Sequence, residues 1–233
     1  MRISLFSFLS VAIAVLCLTA GPSGAFALDN WRISCGADKG SISHTRGVWT
    51  FKTSGNHCGG GIFNQRAEIE TDSVPPSHKG AYLFTARVAM RSPQAERFGI
   101  FQVHDGRLGC APPLTVTVER DGRLFLVSDI KTGKGESCIR GQLSGRRSAA
   151  HIRRDGTEQE LKVLIEFTGA GGFRVTIWID GAMQLSGSFS SDATPQAYKP
   201  KKFYFKHGVY SLNRFPYTLT STGMSVRRVN VRK

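Results

Sequence analysis

Acidic residues are scarce in this sequence. Of its 233 residues, 17 are Asp or Glu and 31 are Lys or Arg, a formal net charge of +14. Such an excess of positive charge favours a polyanionic partner. Nucleic acid is one polyanion, but the sequence lacks zinc-finger spacing and RNP-type motifs, so we expect no nucleic-acid partner. An acidic polysaccharide is the partner that fits better, and a generic basic surface is the plainer alternative.

Long apolar runs are absent except at the N-terminus. Met1 and Arg2 precede an apolar run from Ile3 to about Leu18, and small residues follow, ending at Ala27. This order is typical of a secretory signal peptide. We therefore expect residues 1–27 to be removed and the protein to be periplasmic or secreted. No later run is long enough to span a bilayer, so no membrane association is expected.

The mature chain, residues 28–233, is predicted to be one domain and a monomer. About 206 residues are enough to bury a full core, and no internal repeat or low-complexity linker divides them. Because the signal segment contributes one basic residue, 30 basic residues remain against 17 acidic ones, a mature charge of +13.

Cysteine is also sparse, and four cysteines remain after processing: Cys35, Cys58, Cys110 and Cys138. An even number in an exported chain predicts two disulfides, for which three connectivities exist. We favour the sequential pairs, Cys35 with Cys58 and Cys110 with Cys138. No two cysteines are spaced as in a zinc site, so no metal is expected, and His57 is interpreted as a loop residue.

Helical periodicity is missing, and short apolar or alternating runs broken by Gly, Pro, Asn and Asp take its place. Asp121-Gly122 and Asp180-Gly181 are hairpin turn signals. The pattern predicts an all-β fold of two stacked antiparallel sheets, a sandwich or jelly roll, whose concave inner face can hold a long ligand in a groove. The candidate strands are Gly47 to Lys52, Asn64 to Thr71, Ala81 to Met90, Arg97 to His104, Leu114 to Arg120, Arg123 to Asp129, Gln159 to Thr168, Phe173 to Ile179, Met183 to Phe189, Lys201 to Leu212 and Gly223 to Val231.

Two segments rich in glycine and small polar residues are predicted to be mobile loops that rim the groove. They are Gly59 to Gly61 and Lys131 to Gly145.

Three of the predicted strands have one apolar and one polar face. In a strand every second side chain shares a face. The rule places Phe203, Phe205 and Val209 on one side of their strand. The other side then carries the tyrosine phenols and the lysine ammonium of the same segment. The polar faces of the three strands carry Arg66, Glu68 and Glu70; Gln102 and His104; and Tyr204, Lys206 and Tyr210.

This set of side chains fits the β-elimination of a 4-linked uronate chain. The C5 proton beside the carboxylate is weakly acidic, so the site must neutralise the carboxylate, remove the proton and protonate the departing O4. Arg66 and Gln102 can bind the carboxylate, His104 or Tyr210 can act as the base, and Tyr210 can act as the acid. The scheme requires no cofactor. Taken singly, a residue such as His104 is more often a hydrogen-bonded structural residue than a catalyst, and Arg66 beside Glu68 is more often part of a surface or cross-strand ion pair.

Three motifs in this sequence resemble those of the jelly-roll alginate lyases, polysaccharide lyase family 7, and of their heparin-lyase-like and glucuronan-lyase relatives. The resemblance extends from about Trp49 to the C-terminus, and the order and spacing of the motifs agree. The motifs read Gln65-Arg66-Ala67-Glu68-Ile69, Gln102-Val103-His104 and Tyr204-Phe205-Lys206-His207-Gly208-Val209-Tyr210.

The resemblance implies a lyase whose catalytic group is Arg66, Gln102, His104 and Tyr210, with Lys206 as a substrate-binding cation. Glu68, Tyr204 and Asn213 are further candidates for substrate binding. The sequence departs from the family at two positions: Glu70 stands where a second Arg is usual, and His207 stands where a small residue is common. The resemblance makes alginate the first expected substrate, and the two departures keep another polyuronate, such as glucuronan, as the alternative.

Two other classes of protein compete with this interpretation. Glu68, Glu70 and Asp72 alternate along one strand, as a pair of catalytic carboxylates in a glycoside hydrolase would require. A lectin-like module could instead hold an acidic polysaccharide through aromatic and basic side chains without cutting it. Unsaturated uronate products distinguish a lyase from both.

Overall fold

The computed structural model describes residues 28–55 and 64–231, and these residues form two seven-stranded antiparallel sheets. The predicted all-β jelly-roll class is confirmed. Apart from one 3-10 turn at Gln196–Tyr198, the regular elements are strands. They are β1 (Arg32–Ile33), β2 (Ile42–Thr45), β3 (Val48–Lys52), β4 (Gln65–Val74), β5 (Lys79–Arg91), β6 (Phe98–His104), β7 (Leu114–Val118), β8 (Leu124–Lys131), β9 (Cys138–Gln142), β10 (Asp155–Thr168), β11 (Phe173–Ile179), β12 (Ala182–Phe189), β13 (Phe203–Ser211) and β14 (Thr218–Val229).

The front sheet has the strand order β1-β4-β13-β6-β7-β8-β9, and the back sheet has the order β12-β11-β10-β5-β14-β3-β2. The three strands that carry the predicted site, β4, β13 and β6, are therefore neighbours in the front sheet although they are far apart in the chain. Non-local pairing of this kind is what brings residues of distant motifs onto one surface.

The core lies between the sheets and follows the period-two pattern of the sequence. Ala67, Ile69, Phe203, Phe205 and Val209 are all fully buried, as the alternation predicted. Aromatic rings fill much of the space, and removing one such ring typically costs about 3–5 kcal/mol of unfolding free energy.

One core residue, His207, is polar. Its Nδ1 lies 2.9 Å from the Ile100 carbonyl oxygen and its Nε2 lies 2.7 Å from Ser221 Oγ, so it joins β13 and β6 of the front sheet to β14 of the back sheet. The rings of Phe51 and Phe84 pack against it, with 5.6 and 5.0 Å between ring centroids. Burial lowers the pKa of His207 to about 4, so the ring is neutral near neutral pH.

The structure differs from the sequence-based prediction at three strands. β1 and β2 were not predicted. The prediction of a mobile loop from Lys131 to Gly145 is wrong in part, because β9 lies within this segment and pairs with β8. Four of its five residues are exposed, so no alternation marks it. The other predicted loop, at Gly59 to Gly61, lies outside the described residues.

The last strand begins at Thr218, five residues before the predicted start at Gly223. The predicted strand started at Gly223, whereas β14 continues through this residue. The residue has a φ of +58° and lies within a register shift between Thr222 and Ser225. A bulge of this kind accommodates a left-handed residue without ending the pairing.

Cys110 and Cys138 form a disulfide, which confirms one of the two predicted pairs. Cys35 is disulfide-bonded, and its predicted partner, Cys58, lies outside the described residues, as do His57 and the predicted signal peptide. Within residues 28–55 and 64–231, no helix has the length and apolar character needed to cross a membrane.

Candidate active site

The predicted site residues converge on the outer face of the front sheet, where β13 lies between β4 and β6. In the strand register Tyr210 is opposite Arg66, Lys206 is opposite both Glu70 and Gln102, and Tyr204 is opposite His104. Directly opposed residues of adjacent strands are about 5 Å apart. The three motifs therefore form one continuous surface.

Arg66 is held against Tyr210. Its Cζ lies 4.5 Å from the centroid of the phenol ring, and its Nε lies 3.4 Å from Glu68 Oε2. Its Nη1 also lies 3.6 Å from Cys35 Sγ. The guanidinium is thus fixed by a cation–π contact and an ion pair while 13% of its side chain remains accessible. Burial raises the pKa of Tyr210, and the positive charge of Arg66 opposes that rise.

Glu68 lies beneath this pair and is only 2% exposed. Burial raises its pKa, while Lys206 and Arg66 act in the opposite direction. Its contact with the Arg66 guanidinium holds the carboxylate at the site, and the substrate-binding role expected of Glu68 stays a prediction.

Gln102 offers a hydrogen-bond donor that the described part of the protein does not use. The residue is 1% exposed, and its Nε2 has no hydrogen-bond partner among the residues that the structure describes. Leaving a buried amide unsatisfied costs about 1–3 kcal/mol. A site that carries this cost opposite Lys206 has a donor ready for a ligand oxygen, such as that of a carboxylate.

His104 is neutral, and its hydrogen bonding defines its tautomer. Its Nδ1 accepts a hydrogen bond from the Gly106 amide at 3.1 Å, so the proton of the neutral ring sits on Nε2. Its ring also stacks on Tyr204 at a centroid distance of 5.0 Å. Burial, followed by the nearby charges of Lys206, Arg66 and Lys202, lowers the pKa of His104 to about 3. In this arrangement His104 Nε2 is a donor, which is the wrong state for a base at that atom.

Lys206 is buried and held from below. Its Nζ donates to Ser34 Oγ at 3.0 Å, and Ser34 Oγ donates to Glu70 Oε2 at 3.0 Å. Only 4% of Lys206 is exposed, and burial lowers its pKa. The geometry gives a buried, hydrogen-bonded positive charge at the site, and the substrate-binding role expected of Lys206 stays a prediction. Sequence reasoning missed Ser34, because it lies just after a two-residue strand that has no periodic signal.

The carboxylates that a glycoside hydrolase would need are already engaged. Arg32 contacts both Glu70, at 3.2 Å, and Asp72, at 2.9 Å. Glu68 is buried as described above. No two of these three carboxylates are left to act as a nucleophile and an acid on a common substrate.

A cleft of about 630 Å³ adjoins the phenol of Tyr210 and extends across β6, β7, β8 and β9. Asn213, which was predicted to bind substrate, is exposed and lines it together with Leu212. Tyr204 is half-buried at the other side of the site, and burial raises its pKa. Across the two described ranges, no group of three or more His, Cys, Asp or Glu side chains is arranged to hold a metal ion.

The fold is shared with solved alginate lyases. The family 7 alginate lyase A1-II′ in complex with a substrate (GGMG) matches with a TM-score of 0.57 and 15% identity, over 90% of this chain and 97% of that one. An alginate lyase from Pseudomonas aeruginosa matches with a TM-score of 0.55 and 12% identity, over 82% and 87%. An alginate lyase from Alteromonas sp. 272 matches with a TM-score of 0.55 and 12% identity, over 86% of this chain and 95% of that one. No family model and no curated protein sequence matches the chain. The likeness therefore lies in the fold, which is that of the polysaccharide lyase family 7 alginate lyases.

Proposed function

We propose that this protein is an exported polysaccharide lyase that cuts a 4-linked uronate polymer, alginate first, by β-elimination. The observation that carries the proposal is the meeting of Arg66, Gln102 and Tyr210 on three adjacent strands of one sheet face. Two solved structures of one protein of the same fold, alginate lyase A1-II′, are described as complexes with a substrate (GGMG) and a product (GGG). An acidic polysaccharide also suits a chain of net charge +14.

In the proposed reaction the substrate carboxylate binds the Arg66 guanidinium and the unpaired Gln102 amide. These donors stabilise the negative charge that grows on the carboxylate as the C5 proton leaves. Lys206 adds a fixed positive charge from below. His104 donates from Nε2 and thereby positions the sugar or its carboxylate.

Tyr210 carries both proton transfers in this scheme. Its phenolate, favoured by Arg66, takes the C5 proton; the electron pair forms the C4–C5 double bond and expels O4; and the phenol then returns the proton to O4. The phenolate is regenerated and no external acid is consumed. One residue can perform both steps only if the C5 proton and O4 lie on the same face of the sugar, as in mannuronate and glucuronate. In guluronate they lie on opposite faces.

The test is an ultraviolet absorbance assay on polymannuronate, polyguluronate and glucuronan, with a parallel count of reducing ends. The proposal predicts that absorbance and reducing ends rise together on polymannuronate or glucuronan. Reducing ends without absorbance would indicate a hydrolase, and neither signal would indicate a binding module. Faster cutting of polyguluronate would refute the assignment of both transfers to Tyr210.

A further inference from the structure

The cleft beside Tyr210 is electrically balanced, although the protein as a whole is strongly basic. Its lining contains three arginines and three carboxylates, hence a formal charge of 3 − 3 = 0, and no lysine or histidine. Each arginine is already paired. The pairs are Arg97 with Glu119 at 3.0 Å, Arg120 with Glu96 at 3.9 Å, and Arg140 with Asp129 at 2.5 Å.

The opposite side of the site differs in charge. Lys201 and Lys202 are exposed there, and Lys202 Nζ lies 5.1 Å from the centroid of the Tyr204 ring. No ion pair joins either lysine to a carboxylate in the ranges 28–55 and 64–231. A polyanionic chain that crosses the site is therefore attracted on the Tyr204 side and meets a neutral surface on the other.

The neutral cleft is continuous with the site through the sheet register. Tyr210 is opposite Gly99, Gly99 is opposite Thr117, and Thr117 is opposite Phe125. With strands about 4.8 Å apart, this row extends roughly 14 Å from the phenol. Gly99 keeps the row open, since a side chain there would approach the Thr115 methyl group at 2.8 Å.

The lining suits an uncharged sugar. Phe125 and Val127 are half-buried and point away from the core, because Leu124 and Leu126 alternate with them and are fully buried. An aromatic ring stacks on the apolar face of a pyranose, and threonine hydroxyls can pair with sugar hydroxyls. A uronate carboxylate in the same place would lose water without gaining an unpaired cation.

We propose that this cleft binds neutral sugar residues that adjoin the uronate at Tyr210, so that a mixed polymer of uronate and neutral sugars is cut faster than alginate or another polymer of uronate alone. The inference rests on the proposed lyase function for its consequence in turnover, but the binding it predicts is independent of turnover. On the Tyr204 side of the site, the exposed lysines attract the uronate carboxylates. On the cleft side, the arginines are paired with carboxylates, so a charged sugar gains no attraction there over a neutral one.

The binding test uses a neutral tetrasaccharide of 4-linked glucose, titrated into the protein by calorimetry or NMR at low and high salt. We expect a measurable Kd that salt leaves unchanged and that Phe125→Ala weakens about three- to tenfold. Ile139→Ala is the matched control, because Ile139 is an exposed apolar residue of β9 that does not line the cleft. Absence of binding, or equal weakening by both variants, would overturn the inference whether or not the protein is a lyase.

The turnover test compares 4-linked polyglucuronate with a polymer that alternates 4-linked glucuronate and glucose. We expect kcat/KM to be about tenfold higher on the alternating polymer. Glu119→Gln leaves Arg97 without its partner and should narrow this preference, whereas Glu166→Gln, the same change on the back sheet, should preserve it. Equal or faster cutting of the homopolymer by the wild type overturns the inference while leaving the lyase function standing.

Discussion

The guanidinium of Arg66 lies over the phenol ring of Tyr210, with 4.5 Å between Cζ and the ring centroid, and the two residues are register partners on β4 and β13. One cation therefore faces both the position proposed for the substrate carboxylate and the group proposed to move the proton. Its charge stabilises the carboxylate as it gains electron density and favours the phenolate form of Tyr210.

Replacing Arg66 by Ala should lower kcat itself. Loss of one donor to a developing negative charge typically costs about 2–4 kcal/mol of barrier, roughly 10²–10³ in rate. Burial raises the pKa of Tyr210, and the same change removes the charge that opposes this rise, so the pKa seen in the pH–rate profile should increase further. Full kinetic curves across pH, on one polyuronate that the wild type cuts, measure both effects.

Arg66→Lys is the control, because it keeps the charge and loses the planar contact. In Arg66→Lys the pKa of Tyr210 should stay close to its wild-type value, because the positive charge is kept. The value of kcat should still fall, because the planar contact is lost. Adding salt to the wild type should raise KM more than it lowers kcat, since salt screens long-range attraction of the polyanion. An Arg66→Ala enzyme with normal kcat and raised KM would demote Arg66 to a binding residue.

His104 should act as a neutral donor. With its pKa lowered to about 3, it does not change charge between pH 5 and 8, so no limb of the pH–rate profile in that range should be lost on its replacement. His104→Gln, which can still donate, should keep at least about tenfold more activity than His104→Ala. If the wild type shows a limb near pH 6 to 7 that both variants lack, His104 is the base.

Ser34 should stabilise the buried Lys206. In Ser34→Ala, Lys206 Nζ and Glu70 both lose a partner, and we expect about 1–3 kcal/mol less free energy of unfolding by denaturant titration. In a double-mutant cycle with Lys206→Met, the two losses should be less than additive, because the second change removes the group that the first left unsatisfied. Strictly additive losses would show that the two residues act independently.

Alternation alone predicted the faces of β4, β6 and β13, because one side of each strand is buried and a period of two leaves no ambiguity. It therefore assigned Arg66, Gln102 and Tyr210 to the polar faces of their own strands, and the pairing of β13 with β4 and β6 brings those faces together. The strand faces therefore follow from local sequence. The pair Cys110 and Cys138 was favoured among three possible connectivities, and the structure confirms it.

What the sequence did not predict depends on contacts between distant residues. Ser34 meets Lys206 across 172 positions and Glu70 across 36, and the tautomer of His104 depends on a backbone amide that no side-chain pattern reports. The neutral cleft could not be predicted from the sequence either, because its charge balance depends on ion pairs between arginines and carboxylates that are distant in the chain. β9 escaped detection because most of its side chains are exposed.

Acid should destabilise the protein through His207. In the folded state the pKa of His207 is about 4, below the ordinary 6.5. Between these two pH values the imidazole is protonated in the unfolded chain and neutral in the folded protein. The stabilisation is complete above pH 6.5 and is lost as the pH falls from 6.5 to 4, by about 3 kcal/mol. Unfolding titrations at several pH values should show this slope in the wild type and a smaller one in His207→Leu.

Ser221→Ala separates titration from hydrogen bonding. It removes the partner of His207 Nε2 but keeps the imidazole, so the protein should be less stable at every pH while the slope persists. If His207→Leu retains the full wild-type slope between pH 6.5 and 4, the acid sensitivity arises elsewhere.

The central claim is that Tyr210 moves the proton in an elimination. The most direct measurement is a time course on one polyuronate that records ultraviolet absorbance and reducing ends together, for the wild type and Tyr210→Phe, with circular dichroism to confirm that both are folded. The account predicts equal numbers of double bonds and reducing ends from the wild type, and a loss of both by roughly 10²–10⁴ in Tyr210→Phe. Reducing ends without double bonds from the wild type, or near-normal absorbance from folded Tyr210→Phe, would contradict it.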